Sequence, residues 1–147
     1  MTQPYNTFLF DITNKGRTVA RIMETGAEYR ILPRGDDLPQ TPEYQNAIPN
    51  ALTAVHGHVL VPEDPVKDIS YGITERIDVA KFNSILNGDL VLYVYAFIRY
   101  LDFSNVEHVI QFCYRYAHTG PSMEMGKGVE LLGRWFLAGP PDYNTHT

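Results

Sequence analysis

His56-Gly57-His58 carries the sharpest chemical potential in this sequence. On a strand, residues two apart point to the same side. Two imidazoles placed that way can bind zinc, iron or manganese, and Gly57 would let the ion come close to the backbone. A metal site needs a third convergent ligand. Glu63 lies a short way on, and His108 or His118 would arrive from another strand. The candidate metal set is therefore His56, His58 and Glu63. The plainer reading is two solvent-facing histidines beside a loop.

Other groups carry weaker chemistry. Asn14-Lys15-Gly16-Arg17, with Arg21 beyond it, gathers the positive charges of Lys15, Arg17 and Arg21 near one turn. A phosphate or a lipid headgroup fits such a cluster; a solvated hairpin tip accounts for it equally, because turns are commonly polar. Cys113 with His108 or His118 suggests a nucleophile and base. Alternation places Cys113 on one strand face with Gln111 and Arg115, away from His108, and no third group orients a base. Cys113 is therefore expected to be a small buried hydrophobe. Met125-Gly126-Lys127-Gly128 lacks the spacing of a phosphate-binding loop. Tyr93, Tyr95, Tyr100, Tyr114 and Tyr116 suggest a binding face or, more simply, cross-strand packing. No serine sits in a nucleophile elbow and no carboxylates pair for acid–base work. These residues define no catalytic set and call for no cofactor.

Composition bounds the rest. A chain of 147 residues suits one domain, and 44% hydrophobic content is ample for a packed core. A net charge of −5 argues against a nucleic-acid partner, which would need a basic face. A single cysteine excludes an internal disulfide framework and a cysteine-based zinc cage. The N-terminus shows no basic start and no apolar signal core. The longest apolar run, residues 90–98, is well short of the ~20 residues of a membrane helix, so the chain as it stands is expected to be soluble.

The elements that must position these groups read mainly as strands. Alternation predicts strands over residues 5–13, 18–24 resuming at 27–32, 55–61, 68–77, 90–101, 108–116 and 134–138. Asn14 to Arg17 is read as a hairpin turn between the first two, with Gly16 supplying a positive φ. Gly26 marks a break or a bulge. Both faces of residues 90–101 are largely apolar, so that strand is expected to be central and covered on both sides. One helix is predicted from Asp78 to Asn87, with Asp78 as cap and Gly88 as stop. Residues 33–49 hold Pro33, Pro39, Pro42 and Pro49 and read as a long ordered loop over a sheet edge or end; residues 120–128 read as a flexible loop. Gly139-Pro140-Pro141 is expected to end the last strand and blunt an edge. About seven short strands with one helix predict an all-β, immunoglobulin-like β-sandwich occupying residues 1–147 as a single domain.

Three segments together carry a family resemblance: residues 13–20 (Thr-Asn-Lys-Gly-Arg-Thr-Val-Ala); residues 95–102 (Tyr-Ala-Phe-Ile-Arg-Tyr-Leu-Asp) leading through His108 to Phe112-Cys113-Tyr114-Arg115-Tyr116; and Gly139-Pro140-Pro141-Asp142-Tyr143-Asn144. This pattern resembles the extramembrane domain of small bacterial proteins of unknown function that carry one or two membrane helices before an immunoglobulin-like β-domain. Val19 stands where the similar turn usually has proline. The resemblance implies membrane anchoring through a segment outside this chain, and it brings no catalytic residues. Separately, His56, His58 and the acid after them resemble the first metal motif of cupins, without the proline-glycine-histidine segment that should follow.

The expected role is a non-enzymatic β-sandwich domain, interacting or structural, with a protein partner held by its edges and by loops 33–49 and 120–128. One alternative is a metal-dependent, cupin-like small barrel enzyme using His56 and His58. Another is a phage or virion structural module.

Overall fold

The computed structural model describes residues 7–44, 57, 59–72, 77–118, 123–125, 128–130 and 133–147. Its strands are β1 (Thr7–Ile12), β2 (Ala20–Pro33), β3 (Val59–Leu60), β4 (Val66–Gly72), β5 (Leu90–Leu101), β6 (Glu107–His118), β7 (Met123–Met125), β8 (Gly128–Glu130), β9 (Gly133–Leu137) and β10 (Thr145–His146). One α-helix, α1 (Val79–Asn87), and one 3-10 turn, Pro141–Tyr143, complete the described elements. The chain is thus mostly β with one short helix, as its periodicity predicts. No described helix is long and apolar enough to cross a membrane.

The main sheet is antiparallel and runs β10–β6–β5–β2–β3, with β9 also pairing to β6. Alternation explains why β5 sits in the middle. Ala96 and Ile98 face one side and are buried; Tyr95 faces the other and is buried too. In the ladder, Ala27 lies opposite Ala96, and Ala96 opposite Phe112. One face gathers Ile22, Ala27, Leu60, Ala96 and Ile98, with Tyr29 and Phe112 beside them. Ile12 and Val66, from the separate β1–β4 ribbon, pack onto this face. The opposite face gathers Tyr95 and Cys113 under Leu38 and Tyr143, with Leu32, Tyr44 and Tyr93 at the margin. The proline-rich segment after β2 therefore covers a sheet face, where an edge or end was expected.

Local signals set the helix. The Asp78 carboxylate accepts from the Lys81 amide at 2.8 Å, and Gly88 takes the left-handed φ of 87° that ends the helix. Ile85 is buried and α1 lies against β5 and β6. Replacing Asp78 with alanine leaves that amide unmet and is expected to cost about 1 kcal/mol. Urea denaturation checks this, and Asp78→Asn should recover most of the loss.

Partner choice differs from expectation in three places. First, β1 pairs with β4, not with β2. Gly16 does not take a positive φ, so residues 14–17 form a crossing between ribbon and sheet, with no tight hairpin. Second, the segment read as a flexible loop, residues 120–128, holds β7 and the first residue of β8, which pair as a two-stranded ribbon within the connection from β6 to β9. Third, the double proline does not end pairing: the chain turns through Pro141–Tyr143 and returns as β10 to the same edge of β6.

Gly26 lies within one continuous strand, and the ladder irregularity falls earlier, between Ile22 and Glu24. What Gly26 provides is room. It pairs with Phe97, and a Cβ built there would run into the Phe97 ring. That ring is held edge-on by Tyr44 at 4.8 Å, so it cannot swing away without breaking the contact. Gly26→Ala should therefore destabilise by roughly 1–3 kcal/mol, the usual cost of overpacking. Restoration by a Gly26→Ala, Phe97→Leu double variant in thermal unfolding would identify the clash as the cause.

Candidate functional site

The turn after β1 is built by one side chain. Asn14 donates through Nδ2 to the carbonyls of Thr18 at 2.7 Å and Leu60 at 3.1 Å, and accepts from the Gly16 amide at 2.9 Å. Its backbone bridges to Pro62, and the Glu63 amide donates to the Asn14 carbonyl at 3.0 Å. This docks the 14–17 turn on residues 60–63 and brings Lys15 to Glu63, with Nζ 3.0 Å from Oε2. The two side chains are 75% and 66% exposed, so the pair adds little stability. It sets the carboxylate of Glu63, counted above as a metal ligand, beside Lys15. Arg17 and Arg21 are exposed, and Arg21 lies in β2 between Val59 of β3 and Leu101 of β5. Of the three cations, Lys15 is thus paired with Glu63, and Arg17 and Arg21 stand exposed.

His56 and His58 lie outside the described residues. Gly57 between them takes a φ of 77° and donates its amide to the Ile22 carbonyl at 2.6 Å. Among the described residues, no three histidine, cysteine, aspartate or glutamate side chains converge to hold a metal ion.

Cys113 is buried beneath Leu38, Gly139 and Tyr143, and burial pushes its thiol pKa up to about 12. Such a thiol is not a nucleophile near neutral pH. Arg115, which alternation placed beside it, lies with its guanidinium carbon 5.6 Å from the centre of the Phe136 ring. Around Cys113 the aromatic rings form a chain of edge contacts: Tyr44 to Tyr95 at 5.6 Å and Tyr95 to Tyr143 at 5.1 Å. Burial raises the phenol pKa of Tyr44, Tyr95 and Tyr143, so all three stay neutral. These tyrosines pack; of the five that the sequence singles out, Tyr95 alone is among them, and its ring partners come from the segment after β2 and the C-terminal turn, not from across the strand.

A cleft of about 380 Å³ opens where the 33–44 segment meets the C-terminal turn. Its walls are Asp37, Leu38, Gln40, Tyr93, Gly139, Pro140 and Pro141. Its lining is more polar than apolar, with proline and tyrosine rings beside the polar groups of Asp37 and Gln40. No nucleophile–base pair lies among them. The sequence places the prolines in loops, but only the fold brings the two loops to one place.

A second polar constellation sits at the far end of β5 and β6. The Asp102 carboxylate accepts from the Ser104 amide at 2.8 Å and the Val106 amide at 3.0 Å, closing the turn between the strands. Its other oxygen lies 2.9 Å from His108 Nε2, and His108 Nδ1 lies 2.8 Å from the Thr147 main-chain oxygen. Tyr100 stacks on the His108 ring at 5.1 Å, and its hydroxyl meets His146 Nε2 at 3.0 Å. The Asp102 hydrogen bond is the main cause of a raised His108 pKa, and the same bond lowers that of Asp102. Sequence reasoning missed this group, because Thr147 belongs to a segment with no periodicity to place it.

No protein-family model, curated protein or solved structure matches the chain.

Proposed function

We propose that the chain is a non-enzymatic interaction or structural domain. In this reading it is an immunoglobulin-like sandwich whose second layer is the β1–β4 ribbon, and it holds a protein partner at the Pro140–Pro141 cleft. The family resemblance adds membrane anchoring through a segment outside these residues. One observation supports the reading above others. Both faces of β5 are filled with apolar and aromatic side chains, and Thr25 is the sole buried polar residue among those described. The described imidazoles and carboxylates stand at the margins, where they offer recognition and not an enclosed reaction centre. The cleft suits an extended segment, since proline and tyrosine rings give flat apolar contact at low entropy cost.

Site-specific photo-crosslinking tests this reading. A benzophenone side chain at Gln40 should give a discrete adduct with one partner in cells that make the protein naturally. The same group at Val79, an exposed position on α1, should not. Equal patterns from both positions would contradict the cleft. Stoichiometric metal in protein purified without an affinity tag would contradict the non-enzymatic role.

A further inference from the structure

We propose that protonated His108 is a clasp that holds β10 on the edge of β6, and that the clasp opens when the imidazole loses its proton. The argument starts from the two atoms that face the ring. One is a carboxylate oxygen of Asp102 and the other is the main-chain oxygen of Thr147. Both only accept hydrogen bonds. A neutral imidazole carries one N–H and therefore satisfies one of them, whereas the imidazolium donates to both.

Asp102 is the fixed partner, because two backbone amides already hold its other oxygen. A neutral His108 would keep the carboxylate contact and turn an unprotonated Nδ1 toward the Thr147 oxygen. Two lone pairs would then face each other at 2.8 Å, and the Thr147 side must give way. What remains there is slight. β10 spans two residues, Thr145 opposite Gln111 and His146 opposite Ile110. Beyond them, the Thr147 amide donates to the Val109 carbonyl and the Val109 amide to Thr147 Oγ1, each at 3.0 Å. Both bonds need Thr147 in place.

The charged and titratable groups around His108 are few among the described residues. Asp102 faces it from the β5–β6 turn, Tyr100 from β5 and His146 from β10, with the two imidazoles 6.4 Å apart. Glu107, the preceding residue on β6, ion-pairs with Arg99 of β5. The His108 pKa is raised above its ordinary 6.5, so the clasp contributes fully below that value and is lost as pH rises through the folded-state value. Asp102 is lowered below its ordinary 3.8, so acid releases the clasp only as pH falls through its folded-state value.

Amide protection factors measured between pH 5.5 and 9, alongside imidazole ¹⁵N shifts of His108, test the clasp. Protection of the Thr147 and Val109 amides should fall several-fold as His108 deprotonates, while protection within the β2–β5 ladder stays constant. His108→Gln should leave both amides weakly protected at every pH, and His146→Gln should preserve the pH response. Constant protection across the His108 titration would overturn the proposal, as would a pH response that survives in His108→Gln.

Discussion

Tyr95→Ala should lower the free energy of unfolding by about 3–5 kcal/mol, the range for removing a buried aromatic ring from a core. Tyr95 is 1% exposed in the central strand, and its ring meets both Tyr44 and Tyr143. Tyr44 belongs to the segment after β2 and Tyr143 to the C-terminal turn, so deleting Tyr95 unseats both covers at once. The hydroxyl matters less. It donates to the Glu43 carbonyl at 3.3 Å and accepts from Arg30 Nε at 3.5 Å, both long for hydrogen bonds. Tyr95→Phe should therefore cost about 0.5–1.5 kcal/mol. Urea midpoints at constant m-value measure the two variants. Equal losses would place the stabilisation in the hydroxyl and refute the packing account.

On the other face, Ile22→Ala should cost about 2–5 kcal/mol, whereas Met23→Ala should stay within about 0.5 kcal/mol. Ile22 is 0% exposed and Met23 is 43% exposed. The contrast follows from the irregular ladder between Ile22 and Glu24. The extra residue lets Ile22 and, later, Thr25 and Ala27 all turn inward, while Glu24 reaches Arg99 on the outside. A strictly regular strand would put Ile22 and Glu24 on the same face. Similar losses for Ile22→Ala and Met23→Ala in the same denaturation series would show the register to be wrong.

These two sites also show how far the sequence is legible. Asp78 and Gly88 are local signals, and α1 runs between them as cap and stop require. The alternation of residues 90–101 sets both the bounds of β5 and its cover on two faces, because each face must be filled by something. What fills each face is not local. The pairing of β1 with β4 depends on a match between distant segments, and the Asn14 turn looks the same whichever strand comes next. Gly26 resembles a strand breaker until Phe97 is known to lie over it. β10 is too short to carry a period, so neither its return past Pro140 and Pro141 nor the placement of Thr147 beside His108 can be read from residue types. The cleft beside those prolines was hidden for the same reason, since its walls come from segments far apart in the chain. Of the metal reading, Glu63 is seen to face Lys15, and His56 and His58 lie outside the described residues.

The reactivity of Cys113 probes the covered tyrosine face most directly, since it is the chain's single thiol and it lies under the residues that close that face. With an aromatic disulfide reagent at pH 8, the folded protein should remain unlabelled over minutes, and one equivalent should react once denaturant is added. Prompt stoichiometric labelling of the folded protein would mean that Leu38, Gly139 and Tyr143 do not cover the sheet, contradicting a filled β interior.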